Sequence, residues 1–528
     1  MFNFTQTLTA LLLAGACTTS IAAEYWVSKE KGSDNTVCSE ASPCTSIQAG
    51  LNLLKAGDTL TIGKGTYIED STSSKYTAKC GLLDANYGSL CVKSSGELDK
   101  PITIRRDPNT QPGDVVIDSQ TKRAGLIISK HDYIHVRGLA FINNWTGGIA
   151  TPGGPAAVPT EQTPIPSPSV DILSIGCVIE ENIILNTQGA YGVNVSAIYM
   201  WSTKDWIVKN NLIQNVYVEG TTGGNGIQTY GTINALIEFN TITGVDHGIQ
   251  WKDHYVLNGK YKESVIRKNK LLVNQTGVRI SIRGDGANAA GDNLIDSNII
   301  ELFGESATGV TAFLAGANAV SSELIIKNNL ILGRNIKHTG INADSLETLE
   351  LKSNIFTNLD IEISLRLKGD TRPAKLKVVE CNAFESKVQI LHDRYSSDPE
   401  TFNSLESWKL AAPSKDSTLT SLRRDNPGGE LRDAETKKIL DEASKLATTT
   451  RTATATIRQD IDAAAELNQI AQTVPQILEY KTILPTPFTF KENGIDCRPG
   501  PWGDDPSQVG SPIKSFAKSP VDAKAKQL

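Results

Sequence analysis

Through the middle of this 528-residue chain, short runs of β-branched and aliphatic residues return at a near-constant interval, each run opening on an asparagine. The asparagines are Asn182, Asn211, Asn240, Asn269, Asn298, Asn329, Asn354 and Asn382, spaced by 29, 29, 29, 29, 31, 25 and 28 residues. Two positions after each stands a large apolar residue: Ile184, Ile213, Ile242, Leu271, Ile300, Ile331, Phe356 and Phe384. A repeat this short cannot bury a core alone and must stack on its neighbours. Asparagine suits a recurring turn, because it tolerates left-handed backbone and its amide can bond nearby main chain. Stacked in register, such amides would satisfy one turn after another. The pattern predicts an all-β fold, a right-handed parallel β-helix.

The flanking segments fit a capped solenoid. A strand begins at Tyr25 (YWVS), Ile47, Leu51 and Leu54 recur at helical spacing over Ser46 to Leu54, and Thr59 to Ile62 is a strand again. This predicts an N-terminal helical cap over strand edges that would otherwise stay open. Further strands are expected at Pro101 to Arg105, Val115 to Ile117, Leu126 to Ile128 and Tyr133 to Val136. From Thr146 to Val170 the composition turns to Gly, Pro, Thr and Ala, which reads as a long loop leaving the helix. Beyond Asn382 the interval is lost, and Asp433 to Leu446 and Arg458 to Tyr480 are rich in helix formers. The chain divides into an export signal (1–23), a β-helix domain (24–395) and a partly helical C-terminal extension (396–528).

A second marker aligns the repeats: a small residue opening a strand. Ala197, Gly226 and Gly340 each stand 14 residues before their asparagine, whereas Gly248, Gly277 and Gly309 stand 21, 21 and 20 before theirs. Three consecutive turns therefore carry longer loops, which rise side by side. Strand alternation then assigns sides. Ile198, Ile227, Ile249, Val278, Val310 and Ile341 form an inward column. Outward columns read Tyr199, Gln228, Gln250, Arg279, Thr311, Asn342; then Trp201, Tyr230, Lys252, Ser281, Phe313, Asp344; then Thr203, Thr232, His254, Arg283, Ala315.

Lys252, Arg279, Arg283 and His254 thus share two adjacent rows under the longer loops, with Tyr199, Trp201 and Tyr230 to one side and Phe313 to the other. A single Lys or Arg on a strand ordinarily just solvates a surface. A cationic strip flanked by aromatics suits an anionic sugar chain, because rings stack on sugar faces and Arg grips carboxylates in bidentate fashion. The chemistry implied is β-elimination from a uronate: a base removes the proton alpha to the carboxylate while cations hold the developing charge. Lys252 is the expected base, Arg279 and Arg283 the carboxylate clamp, and Tyr230 or His254 the donor to the leaving oxygen, with His254 an alternative base. Tyr199, Trp201, Gln228, Gln250 and Phe313 would bind the substrate. The residues single out no cofactor, though Ca2+ could share the neutralising role, with Asp246, Asp253, Asp285 and Asp292 nearby in sequence.

The formal charge of −6, from 52 basic and 58 acidic residues, argues against nucleic acid as a partner. Leu8 to Ala16 is apolar but too short to span a membrane, and small residues run on to Ala22 and Ala23, which reads as an export signal. A lipid anchor on Cys17 is the alternative, and no transmembrane segment follows. In an exported chain Cys38 with Cys44, and Cys80 with Cys91, are expected to form local disulfides. Pairing Cys381 with Cys497 leaves Cys177 as a buried thiol. No CxxC pair or His cluster suggests zinc, and a secreted or periplasmic monomer is expected.

The YWVS-to-GTY opening and the Asn-marked turns, over Glu24 to Asn382, resemble the exported right-handed β-helix proteins of the pectate-lyase-like superfamily. Within it the chain is most similar to alginate and chondroitin lyases that use a Lys on one turn and an Arg on the next. That resemblance implies a lyase, with Lys252 and Arg283 as the pair. The family's Asn-Lys-Ser stretch stands here as Trp251-Lys252-Asp253, and its Arg-His-Gly as Arg283-Gly284-Asp285. Two other readings fit the same fold: a glycoside hydrolase, which needs two outward carboxylates a few ångströms apart, and a non-catalytic carbohydrate-binding adhesin.

Overall fold

The computed structural model describes residues 22–402, apart from 34–36, 70–87, 129, 152–172, 191–194, 219, 221–222, 254–263, 284–292, 316–322, 334–336, 345–347, 358, 367–375, 385–389 and 393–399, together with 490–492, 495–497 and 500. The chain winds as a right-handed parallel β-helix with three faces per turn. Twelve strands, from Glu24–Val27 to Leu376–Glu380, make the first face. The second and third faces join into one curled sheet, because Thr241–Asp253 and Lys270–Arg283 run unbroken across the corner between them. That corner is marked by register shifts at Thr243, Val245 and His247. Parallel strands joined by crossovers wind right-handed because strand twist makes the opposite hand unfavourable. Inside lies one continuous apolar core, fed by stacked columns such as Ile213, Ile242, Leu271, Ile300 and Ile331.

The asparagine ladder is present at the corner between the first and second faces, unbroken from Asn182 to Asn382. From Asn211 onward each Oδ1 accepts from the backbone N–H and the Nδ2 of the asparagine one turn before, while Asn182 Oδ1 accepts from Leu139 N; Asn211 N and Nδ2, for example, donate to Asn240 Oδ1 at 3.0 and 2.9 Å. Each Nδ2 also donates to a main-chain carbonyl of the preceding turn, as Asn240 Nδ2 does to Val208 O at 2.9 Å. All eight amides are buried. One expectation is corrected: the left-handed residue is the one before each ladder asparagine. Glu181, Asn210, Phe239, Lys268, Ser297, Asn328, Ser353 and Cys381 have φ between 53° and 57°. The asparagine itself stays in ordinary backbone, and its amide is what the turn requires.

The Gly marker also has a physical cause. A Cβ on Gly248 would come 2.6 Å from the carbonyl oxygen of Gly277, and one on Gly226 would come 2.4 Å from Ile242 Cγ2. These glycines sit where the chain turns the corner into the third face, with no room for a side chain.

At the N-terminal end the helix is shorter than expected, Ile47–Leu51, with Ser46 as N-cap. Glu69 accepts from Ser46 Oγ at 2.8 Å and Gln48 N at 3.0 Å, as well as from Ile47 N. The buried Gln48 amide pairs with the backbone of Cys91 in both directions, at 3.0 and 2.8 Å, so a side chain closes the edge of the first third-face strand, Gly88–Cys91. At the other end the parallel order stops where Ile390–His392 meets Glu400–Phe402 antiparallel.

Cys38 and Cys44 form a disulfide, Cys91 and Cys381 each take part in a separate disulfide, and Cys177 is a buried free thiol. Cys80 lies outside the described residues. The Thr146–Val170 segment does not leave the helix at its start: Gly147–Ala150 is a third-face strand, paired with Ala124–Ile127 and Ser196–Trp201. The helices expected over 433–446 and 458–480 lie outside the described residues. Of the tail, Phe490–Glu492 and Ile495–Cys497 form a hairpin, and Gly500 N donates to Ser353 O at 2.7 Å. Among the described residues no helix is long and apolar enough to cross a membrane.

Candidate functional site

The third face carries the outward columns in the expected register. Tyr199 pairs with Gln228, Gln228 with Gln250, Gln250 with Arg279, Arg279 with Thr311 and Thr311 with Asn342. Beside them Trp201, Tyr230, Lys252, Ser281 and Phe313 follow one another strand by strand. The intervening positions, Ile198, Ile227, Ile249, Val278, Val310 and Ile341, are fully buried in the core. Two charged side chains on adjacent strands, Lys252 and Arg279, are therefore diagonal neighbours on a surface that alternation keeps out of the core.

This outward surface is less open than a plain strand face. Tyr199, Gln228, Gln250, Trp201 and Ser281 are buried, while Tyr230, Lys252 and Arg279 are half-buried. The Trp201 and Tyr230 rings stack with centroids 4.3 Å apart and planes 14° from parallel, and Tyr199 is tilted against Trp201 at 6.1 Å. Thr151 Oγ1 bonds the carbonyls of Tyr199 and Trp201, at 3.3 and 3.0 Å, and fixes the edge of this aromatic group. Gln228 Oε1 accepts from Ser196 Oγ at 2.7 Å and from Asn225 Nδ2 at 3.1 Å. Burial pushes the Tyr199 hydroxyl pKa well up, the nearby Tyr230 adding to it, so the hydroxyl stays protonated.

A histidine outside the expected set belongs to this site. His247 lies in a further outward column, Ser196, Asn225, His247, Thr276, Thr308 and Thr339, whose members pair strand by strand. Its imidazole is buried, and its pKa falls to about 3, first through burial and then through the charges of Arg279 and Lys252. It is therefore neutral at ordinary pH, and its Nδ1 has no hydrogen-bond partner among the described residues. The signal that finds it is simple: each member of this column directly precedes the small-residue marker, and all are polar.

The remaining expected residues divide in two. The Arg283 backbone pairs with Ala315, and Phe313 stands between Ser281 and Asp344, but the side chains of Arg283 and Phe313 lie outside the described set, as does the whole of His254. Asp246 Oδ2 accepts from the backbone of Gly223 at 2.7 Å and Gly224 at 3.3 Å, which ties it to the preceding turn. The Asp253 backbone pairs with Ile282, while Asp285 and Asp292 lie outside the described residues. Among the described residues no three His, Cys, Asp or Glu side chains gather as a metal site.

The longer segments after the third face fall where expected. Strands end at Asp253, Arg283 and Ala315 and resume at Ser264, Asn293 and Glu323. The turns with the longer inter-strand segments thus include the rows that carry Lys252 and Arg279.

Residues 196–366, the stretch that bears the site, match the family of right handed beta helix regions. No curated protein matches the chain. Among solved structures, a pectate lyase, Pel9A, is 15% identical with a TM-score of 0.43, covering 78% of this chain and 87% of its own. A rhamnogalacturonan lyase is 16% identical with a TM-score of 0.42, covering 78% and 98%. A lacto-N-biosidase from Eubacterium ramulus is 11% identical with a TM-score of 0.36, covering 69% and 67%. At these identities the likeness concerns the fold alone.

Proposed function

We propose that this protein is an exported polysaccharide lyase that cleaves a uronate-containing chain by β-elimination. The observation that carries the reading is the register: Lys252 and Arg279 stand on adjacent strands of one outward face, beside the stacked rings of Trp201 and Tyr230. Arg279, with Arg283 four residues further along the same strand, would hold the uronate carboxylate and neutralise the charge that grows on it. Lys252, in its free-amine form, takes the proton alpha to that carboxylate. The electron pair left behind forms the carbon–carbon double bond as the glycosidic carbon–oxygen bond breaks, and Tyr230 or His254 returns a proton to the departing oxygen. Tyr199, Trp201, Gln228 and Gln250 supply ring faces and amides for the sugars, with Phe313 on the far side. A calcium ion bound there would supply a second positive charge to the carboxylate.

The three outward columns hold one carboxylate residue, Asp344, where an acid pair needs two, which favours elimination over hydrolysis. The apolar run from Leu8 to Ala16 and the Cys38–Cys44 disulfide support export. Incubation with pectate, alginate and glycosaminoglycans tests the reading. A lyase leaves an unsaturated uronate that absorbs in the near ultraviolet. New reducing ends without that absorbance would mean hydrolysis, and no product with retained binding would mean an adhesin.

A further inference from the structure

At the corner where the second face turns into the third, three consecutive strands carry a ridge that the candidate site does not use. Ala140–Trp145, Ile183–Gly189 and Leu212–Val218 pair in register, so Trp145, Gln188 and Tyr217 stand side by side. The residues just before them, Asn144, Thr187 and Val216, are fully buried, and alternation therefore points the three outward. The corner itself is made two residues earlier. There Asn143, Asn186 and Asn215 take left-handed backbone, with φ of 52°, 52° and 57°. Asparagine tolerates that conformation and brings a short amide to the same surface.

Exposure sets this ridge apart from the buried ladder amides and from the buried residues of the third face. Tyr217 is 48% exposed, and among the described residues no other aromatic side chain is so open. Trp145, Gln188 and the three asparagines are half-buried. The Tyr217 hydroxyl donates to Gln188 Oε1, and Asn215 Nδ2 donates to Asn186 Oδ1 at 3.3 Å, so the side chains brace one another. Gln188 Nε2 and Asn186 Nδ2 donate no hydrogen bond among the described residues, which leaves amide donors open between two rings. None of the six side chains is charged. Asp118 and Arg123 flank one end and Asp246 the other, and both carboxylates already accept hydrogen bonds. Ring faces and amides without charge suit a sugar chain, whose C–H faces lie on aromatic rings and whose hydroxyls accept from N–H groups.

We propose that this ridge is an accessory binding site for an extended polysaccharide chain, apart from Lys252 and Arg279. Trp145 and Tyr217 stand two strands apart, roughly 10 Å, the length of about two sugar units. Each ring takes the face of one sugar, and the Gln188 and Asn186 amides meet hydroxyls between them. Val216, beside Tyr217, pairs with Val245, which precedes Lys252 on the strand Thr241–Asp253. That stretch of strand is roughly 20 Å long, too far for one sugar to touch both the ridge and the base. The ridge therefore anchors polymer and takes no part in the bond that breaks. Because its contacts carry no charge, binding there keeps its strength in salt, unlike binding at the cations. The inference requires a sugar polymer as ligand and does not depend on the lyase reading.

The test is affinity electrophoresis of the intact protein through gels holding pectate, alginate, chondroitin sulfate or neutral galactan, at low and high salt. Turnover of polymer, and of oligosaccharides too short to bridge the two sites, is measured beside it. On whichever gel retards the parent, Tyr217→Ala should weaken retention roughly three- to tenfold, equally at both salt levels. Turnover of the short substrates should stay unchanged. Trp145→Ala should weaken retention in the same way, and Trp145→Phe, which keeps a ring, should restore most of it. Retention unchanged in both alanine variants, or no retardation of the parent by any gel, would overturn the site. An equal fall in turnover of short and polymeric substrates would place the ridge within the active groove and overturn it as a separate site. Absence of unsaturated product from every polymer would overturn the lyase reading alone, with retention still deciding the ridge.

Discussion

Trp201 and Tyr230 occupy the same outward position on adjacent strands, and their rings stack 4.3 Å apart. The next residue in that column is Lys252, so a flat apolar platform runs directly into a cation. Such a junction matches a substrate with an apolar ring face on one unit and a negative charge on the next.

Lys252→Ala should abolish formation of unsaturated product while leaving the melting temperature and polysaccharide binding nearly unchanged, since only the base is removed. Arg279→Ala should weaken both binding and turnover, because the clamp acts in the ground state and more strongly in the transition state. Arg279→Lys should remain poor, as an ammonium cannot reproduce the bidentate fork. Steady-state kinetics and calorimetric binding separate these effects, and full activity in Lys252→Ala would move the base elsewhere.

Asn240→Ala should lower unfolding free energy by roughly 1 to 3 kcal/mol. The truncation leaves Asn211 N and Nδ2 without their acceptor and Val208 O without a donor, all inside the ladder. Urea titration measures it, and an unchanged midpoint would count against the ladder as a stabilising device.

Gly248→Ala should destabilise by roughly 1 to 3 kcal/mol, in the range of overpacked cores. The new methyl group meets the Gly277 carbonyl, which belongs to the next strand and cannot rotate away. Thermal melting against a control substitution on an exposed loop checks this.

His247 gives a pH signature with a definite sign. Its pKa is about 3 in the folded protein against 6.5 for the free side chain, so the unfolded chain takes a proton first as pH falls. Stability from this group is present above about pH 6.5 and is lost progressively toward pH 3, on the order of 5 kcal/mol at full extent. His247→Asn should therefore lose less stability than the parent between pH 7 and about 4. Equal losses in urea melts at both pH values would mean that the imidazole is not held neutral.

The repeat, the inward column and the outward register were legible because a turn-based fold copies its alternation from strand to strand, and the asparagine and small-residue markers supply two fixed points per turn. His247 was hidden by the corner at Thr243, Val245 and His247, where register shifts break the simple count of two. The burial of Tyr199, Gln228 and Gln250 was hidden for a different reason: alternation distinguishes core from outside, and says nothing of what lies above an outward side chain. The left-handed residue before each asparagine could not be read from identity, since Glu181, Phe239, Lys268 and Ser353 all adopt it. Backbone conformation there is imposed by the stack.

The ladder amides keep the same contact whatever the turn contains. Asn298 and Asn329, 31 residues apart, meet at 3.0 Å, and so do Asn329 and Asn354, 25 apart. Gains and losses of residues are taken up elsewhere in the turn; the strand ends at Asp253 and Ser264 enclose ten residues, those at Asp344 and Thr348 three. The scaffold is thus insulated from insertion. Evolution or an engineer can lengthen, shorten or exchange the segments that follow the third-face strands without retuning the hydrogen bonds that hold the coil together.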